Sequence, residues 1–84
     1  MSYSVTFNKG VSKTLEKINE PYYSSIKSAI LSLAENPRPH GYKKLTGRDG
    51  YRIRVGDYRI VYRVFDKILV VEVIDLGHRR EIYG

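Results

Sequence analysis

Two alternating segments on either side of Gly56-Asp57 restrict the fold of this chain more than any other feature. In residues 51–55 and 58–65, apolar and basic side chains alternate, which is typical of half-buried β-strands. A two-residue connection of this kind closes a tight antiparallel hairpin. The resulting register places Arg54 directly opposite Arg59.

This register predicts one apolar face and one basic face. The apolar face carries Tyr51, Ile53, Val55, Tyr58, Ile60 and Tyr62. The face that we call the basic face carries Arg52, Arg54, Arg59, Val61 and Arg63. A third strand is predicted over Ile68–Asp75, after a two-residue turn at Asp66-Lys67, and it extends both faces. The residues added to the apolar face are Val64, Leu69, Val71 and Val73. Those added to the basic face are Phe65, Val70, Glu72 and Ile74. Because like charges opposite one another are unfavourable, we expect an anion to bind the basic face.

The N-terminal half predicts one strand and two helices. Residues 3–7 alternate, and apolar residues then recur at helical spacing in two runs separated by Glu20-Pro21. The runs are Val11, Leu15 and Ile18, followed by Ile26, Ala29, Ile30 and Leu33. Asn36, which precedes a proline, ends the second helix. The predicted fold is α+β: two N-terminal helices packed on one face of a small four-stranded antiparallel-type sheet (β-α-α-β-β-β), in a single domain over residues 1–84.

Composition indicates how this fold is stabilised and in which cellular compartment we expect the protein. The 84 residues include no cysteine, so the core must form by apolar packing, without disulfides or a thiolate zinc site. The N-terminus lacks the features of a signal peptide, and no run reaches the roughly 18 apolar residues of a membrane span. We therefore expect a cytoplasmic protein without a membrane partner.

Positive charge is concentrated between Arg38 and Arg63. This stretch holds eight Lys or Arg residues and two acids, a surplus of six that equals the net charge of the whole chain, +6. Arginine binds phosphate bidentately and stacks on bases, so the pattern favours a surface that binds nucleic acid. The alternative is a sheet face that is only solvated, with Glu72 and nearby aspartates as partial counterions. The candidate RNA-binding residues are Lys43, Lys44, Arg48, Arg63 and Arg80.

The C-terminal tail concentrates groups that can transfer protons and stabilise charge. Within six residues it holds His78, Arg79, Arg80, Glu81 and Tyr83. Histidine is the side chain that ordinarily titrates nearest neutral pH, whereas a tyrosine acts as a base only where cations lower its pKa.

Three segments together resemble one protein family. They are Lys44-Leu45-Thr46-Gly47, the run YRIRVGDYRIVY at 51–62 and the ending GHRREIY at 77–83. Over essentially the whole chain the sequence is similar to the RelE/ParE superfamily of toxin–antitoxin toxins, on the RelE side. The resemblance implies an endoribonuclease that enters the ribosomal A site and cuts messenger RNA, without metal or cofactor. It also implies a short RelB-like antitoxin, acidic or amphipathic, that silences the toxin, with operator DNA contacted only through the toxin–antitoxin complex.

The resemblance further implies which residues form the site. The positions that match the family pattern are Arg52, Arg54, Arg59, Arg79 and Tyr83. At the first two of these the family pattern has lysine. Because arginine is a poor proton acceptor, Arg52 and Arg54 are limited to an electrostatic role.

The expected reaction is attack of a ribose 2′-OH on the adjacent phosphate, with expulsion of the 5′-oxygen of the next nucleotide. Arg59, together with Arg52 and Arg54, is expected to hold the phosphate oxygens. Arg79 would stabilise the transition state or the leaving group. Tyr83 would act on the 2′-OH, with His78 as the rival base.

Two other functions stay open on the sequence. A ParE-like toxin that poisons DNA gyrase without catalysis would share the fold, so the fold does not decide between the two. A catalytically degenerate basic binding module is the third interpretation. Retention of Arg59, Arg79 and Tyr83 favours the nuclease.

Overall fold

A five-stranded sheet with two helices on one face forms the structure, a computed structural model that describes residues 2–78. The strands lie in the order β1-β5-β4-β3-β2. The elements are β1 (Ser4–Phe7), α1 (Lys9–Glu16), α2 (Tyr22–Ser32), β2 (Lys43–Lys44), β3 (Tyr51–Val55), β4 (Tyr58–Phe65) and β5 (Val70–His78).

The predicted α+β class is confirmed, with two differences in the sheet. A fifth strand, β2, lies within the basic loop and pairs with β3. Its two residues are too few to show an alternating pattern in the sequence. In addition, β1 pairs parallel to β5, while the other neighbours are antiparallel. The helical hairpin returns the chain across the sheet, so β1 is not joined to a neighbouring strand by a tight turn.

The central hairpin has the predicted register. Val55 pairs with Tyr58, and Arg54 pairs with Arg59. Gly56 has a φ of 59°, a conformation that glycine adopts at little cost at the first position of a two-residue turn.

The turn between β4 and β5 is longer than predicted. It spans four residues, 66–69, instead of two, and Phe65 therefore pairs with Val70. Leu69 lies in this turn, with a φ of 54°, and not in the strand. Since the side-chain period of a strand is two, a turn longer by two residues leaves Val71 and Val73 on the predicted face.

A β-bulge in β5 changes which residues face the helices near its end. Tyr62 pairs with Val73, but Val61 pairs with Asp75, so Ile74 is the extra residue. After the bulge, Leu76 and His78 lie on the helical side, opposite residues of the apolar face of β4.

The core fills the space between the helices and the apolar face of the sheet. Its buried members are Val11, Ile26, Ile30, Leu33, Ile53, Ile60, Tyr62, Val71, Val73 and Leu76. The Tyr62 hydroxyl donates a 2.7 Å hydrogen bond to the Pro37 carbonyl, which satisfies the polar end of a fully buried ring. Among residues 2–78, no helix is long and apolar enough to cross a membrane.

One arginine of the basic stretch is part of the scaffold. Arg38 Nη2 lies 2.9 Å from Asp66 Oδ2 and 3.4 Å from the Tyr51 hydroxyl, and its guanidinium lies 5.2 Å from the Tyr51 ring centroid. The Tyr3 hydroxyl donates a 2.6 Å hydrogen bond to the same carboxylate. These contacts link the residue before β1, the loop after α2, β3 and the β4–β5 turn, so the charge of Arg38 is balanced within the fold.

Candidate nucleic-acid interface

Four cations from three neighbouring strands lie together on the basic face. Arg54 and Arg59 are directly opposite on β3 and β4, and Arg52 lies opposite the buried Val61. On the other side of β3, Lys43 of β2 pairs with Arg52 and thereby shares its face. The basic face therefore extends across β2, β3 and β4.

The cluster of Arg52, Arg54 and Arg59 has no internal counterion within the part of the chain that the structure describes. No carboxylate of residues 2–78 lies within 4.0 Å of any of these guanidinium groups. Desolvation, followed by Coulombic interaction with Arg59 and Arg54, lowers the pKa of Arg52. The Nε–H of Arg59 is buried and has no hydrogen-bond partner among residues 2–78. An anion bound here would relieve the repulsion between these arginines and accept a hydrogen bond from the Arg59 Nε–H.

Arg63 has different surroundings at the far end of the same face. Its guanidinium carbon lies 5.0 Å from the Phe65 ring centroid, and its Nη2 lies 3.5 Å from Asp49 Oδ2. Glu72 is its partner across the β4–β5 ladder. Its Nε–H, like that of Arg59, is buried and has no hydrogen-bond partner in the described part of the chain.

A small apolar patch separates Arg63 from the arginine cluster. The buried Leu45 and Val61 pack together with Ile74 on this side of the sheet. Leu45 is held there by a 3.0 Å hydrogen bond from its N–H to the Gly50 carbonyl, which closes the loop before β3. The basic face therefore has an apolar centre between two charged ends.

Other candidate residues lie outside the basic face. Lys44 pairs with Tyr51 and shares the opposite face of the sheet, and Arg48 is exposed in the loop before β3. His78 lies on the helical side, with its ring centroid 5.7 Å from that of Tyr58 in an edge-on arrangement. It lines a cavity of about 540 Å³ beside the α1–α2 connection. In the described part of the chain, the structure thus brings Lys43, Arg52, Arg54 and Arg59 together and places His78 on the other side of the sheet.

The remaining predicted tail residues, Arg79, Arg80 and Tyr83, lie outside the described residues, and their roles stay hypotheses. Residues 2–78 contain no group of three or more His, Asp or Glu side chains that could hold a metal ion.

The sequence interpretation missed two features of this surface. It did not identify the Arg63–Phe65 contact or the approach of Asp49 to Arg63. The i, i+2 spacing of Arg63 and Phe65 on a predicted strand was a signal for the first contact. The second depends on how the loop before β3 folds, for which the sequence carried no comparable signal.

Comparisons with known proteins agree with the fold. The family described as "ParE toxin of type II toxin-antitoxin system, parDE" matches residues 4–83. The chain belongs to the RelE/ParE family of toxin–antitoxin toxins. The resemblance inferred from the three sequence segments is thereby confirmed.

Curated proteins similar to this chain have RelE names. The chain is 31% identical over 88 residues to "mRNA interferase toxin RelE" of Escherichia coli K12, covering 100% of this chain and 93% of the relative. It is 33% identical to "Putative toxin RelE1" of Methanocaldococcus jannaschii, and the match covers 96% of this chain and 93% of that relative. The structure of this chain also superposes on a chain in the crystal structure of the archaeal RelE–RelB complex from Pyrococcus horikoshii OT3, with a TM-score of 0.84 and 32% sequence identity. The match covers 98% of this chain and 100% of that one.

Proposed function

We propose that this toxin is an mRNA interferase that cuts messenger RNA in the ribosomal A site. The observation that carries the proposal is the cluster of Arg52, Arg54 and Arg59, which lies on one face of the sheet without a counterion among residues 2–78. The relative named mRNA interferase toxin RelE, at 31% identity over the whole chain, supports the reaction class.

In this mechanism the arginine cluster binds the phosphate whose bond is broken. A ribose 2′-oxygen loses its proton and attacks the adjacent phosphorus, and the bond to the 5′-oxygen of the next nucleotide breaks as that oxygen gains a proton. The products are a 2′,3′-cyclic phosphate and a 5′-hydroxyl. Arg59, with Arg52 and Arg54, stabilises the additional negative charge that develops on the phosphorane oxygens.

The tail supplies the remaining roles in this proposal. Arg79 stabilises the transition state or the leaving 5′-oxygen, and Tyr83 takes the proton of the 2′-OH. Because His78 lies on the helical side of the sheet, beside Tyr58, it serves as the base only if the RNA reaches around the end of β5. This position of His78 counts against it as the base, and the proposal therefore assigns that role to Tyr83.

The partner in this proposal is a short antitoxin. The Pyrococcus horikoshii structure is a RelE–RelB complex, which supports an antitoxin of that kind here. Two surfaces suit it: the basic face, and an apolar groove of about 270 Å³ between α1 and α2 that includes the exposed side chains of Phe7 and Leu31. We place the toxin in the cytoplasm because its proposed target, the ribosome, works there.

The test uses translation complexes with a defined A-site codon, in which primer extension maps new messenger RNA ends. Wild-type toxin should cut the A-site codon. Arg59→Leu should reduce the cleavage rate about 100-fold or more, since loss of one charge-stabilising donor typically has an effect of this size. Lys13→Gln removes a charge from the exposed side of α1 and should leave the rate unchanged. A 2′-deoxy substitution that removes the attacking hydroxyl should abolish cleavage, and persistent cleavage of that substrate would refute the mechanism.

Gyrase inhibition is the second candidate, because the matching family is described by the ParE toxin. Inhibition of DNA supercoiling in the absence of messenger RNA cleavage would support it. If both assays are negative and cells tolerate overexpression, the chain is a binding module without catalysis.

A further inference from the structure

Arg63 lies on the same face as the arginine cluster but at a separate position. It is four residues from Arg59 on β4, a separation of about 13 Å at the usual rise of a strand. Val61 lies between them, fully buried, and packs against Leu45. A ligand that reaches both arginines must therefore span the position of this buried pair.

The guanidinium of Arg63 is held in place before any ligand binds. One contact is with Phe65, 5.0 Å from the guanidinium carbon to the ring centroid. The aliphatic stem passes beside Gly50, where even a single added Cβ would lie 3.8 Å from the Arg63 Cγ. The side chain is nevertheless 40% exposed. The contacts with Phe65 and Gly50 restrict the rotamers of Arg63, so less entropy is lost when a planar ligand stacks on the guanidinium.

One carboxylate contacts this guanidinium, and a second belongs to its partner across the β4–β5 ladder. Asp49, whose side chain is 80% exposed, approaches it at 3.5 Å, which is longer than a strong charge-assisted hydrogen bond. Glu72 is opposite Arg63 in the ladder, although its carboxylate forms no ion pair within 4.0 Å among residues 2–78. One cation between two anions makes a poor phosphate site. The carboxylates do supply acceptors for hydrogen-bond donors beside a flat surface.

We propose that Arg63, Phe65, Asp49 and Glu72 form a nucleobase subsite that selects a base with an exocyclic amino group. The inference rests on the proposed action on RNA and adds base selection to it. The base stacks on the exposed plane of the Arg63 guanidinium, and its amino group donates to the flanking carboxylates. Cytosine, adenine and guanine carry such a group, whereas uracil has a carbonyl oxygen instead, which the carboxylates repel. The selected base belongs to a different nucleotide from the one whose phosphate binds Arg59.

The test compares binding of oligocytidine and oligouridine of equal length, because the two pyrimidines differ in the relevant amino group. The strands carry 2′-fluoro groups, which are unable to attack phosphorus, and a fluorescent label for anisotropy. Wild-type toxin should bind oligocytidine about fivefold more tightly. The double variant Asp49→Ala/Glu72→Val should bind both strands more tightly because two negative charges are removed, but with a ratio near one. Arg63→Gln should also lower the ratio, and Lys13→Gln should retain it.

Three results would overturn the subsite: equal affinity of wild-type toxin for the two strands, no measurable binding of either, or an unchanged ratio in a double variant whose circular dichroism shows the native fold. The A-site cleavage assay separates this inference from the proposed function. If the toxin cuts messenger RNA but shows no preference for cytosine, only the subsite fails. If the preference and its loss are observed but no messenger RNA is cut, the subsite stands and the nuclease proposal fails.

Discussion

Arg38 and Arg59 carry the same guanidinium group in opposite surroundings. Arg38 is paired with Asp66 and stacked on Tyr51, so its charge helps to hold the fold together. Arg59 faces Arg54, and its buried Nε–H has no hydrogen-bond partner among the residues that the structure describes. At the scale of single residues, it is the partner and not the residue type that separates a structural arginine from a binding arginine.

Asp66→Asn should change how stability depends on pH. Hydrogen bonds from Arg38 and then from Tyr3 lower the pKa of Asp66 in the folded state. The ionised carboxylate therefore stabilises the fold above the unfolded-state pKa, near 4, and this contribution disappears as the pH falls through the lower folded-state value. The variant should have a smaller free energy of unfolding than wild type at pH 7, and the difference should shrink below pH 4.

Urea unfolding between pH 7 and pH 2 measures this effect. Asp57→Asn is the matched control, because its carboxylate lies exposed in the β3–β4 turn and forms no ion pair within the described chain. The control should follow the wild-type curve. A constant difference between wild type and Asp66→Asn across the whole range would contradict the prediction.

At the scale of elements, the loop before β3 connects local backbone geometry to the basic face. Gly50 has a φ of 135°, and its carbonyl accepts the hydrogen bond from the Leu45 N–H that closes the loop. A Cβ at this position would lie 3.1 Å from the Tyr62 carbonyl oxygen and 3.2 Å from Leu45 Cδ1. The absence of a side chain at Gly50 is what allows the loop to pack against β4.

Gly50→Ala should accordingly destabilise the fold by about 1–3 kcal/mol, through both backbone strain and overpacking. Gly47→Ala isolates the first contribution, because Gly47 also has a positive φ, of 78°, but nothing lies within 4 Å of an added Cβ. It should cost about 1 kcal/mol. Chemical denaturation of both variants measures the difference, and a Gly50→Ala variant no less stable than Gly47→Ala would refute the overpacking argument.

For the whole molecule, the position of the charges matters more than their number. The net charge of +6 includes Arg38, which is paired internally, and lysines on the exposed side of α1. Among residues 2–78, the arginine cluster gathers its cations on one surface without carboxylates in ion-pair range. The salt dependence of RNA binding should therefore depend mainly on these residues.

Two triple variants of equal net charge test this point. Arg52→Gln/Arg54→Gln/Arg59→Gln should reduce the slope of log affinity against log salt concentration by about 0.7 for each phosphate of single-stranded RNA that is no longer neutralised. Lys9→Gln/Lys13→Gln/Lys17→Gln removes the same charge from α1 and its C-terminal end and should leave the slope close to the wild-type value. Equal slopes for the two variants would show that net charge, and not the basic face, governs binding.

The alternating pattern of residues 51–65 was enough to predict the hairpin register and the basic face, since a two-residue turn and a side-chain period of two leave one solution. It was not enough for β2, whose two residues have no periodicity, or for the length of the β4–β5 turn. The predicted face of Val71 and Val73 was nevertheless correct, because the error in turn length was an even number of residues. The face of His78 depended on the bulge at Ile74, which shifts the alternation by one residue.

Local periodicity and motifs contiguous in the chain were sufficient for the fold class, the family and the set of arginines that share a face. Only the tertiary structure decided which of those arginines have a carboxylate partner. Loop conformations bring Asp66 to Arg38 and Asp49 to Arg63. No carboxylate of residues 2–78 lies within ion-pair distance of Arg54 or Arg59. An ion pair requires two side chains that are far apart in the sequence to come within a few ångströms of each other. The alternation of residues along a strand does not determine whether they do.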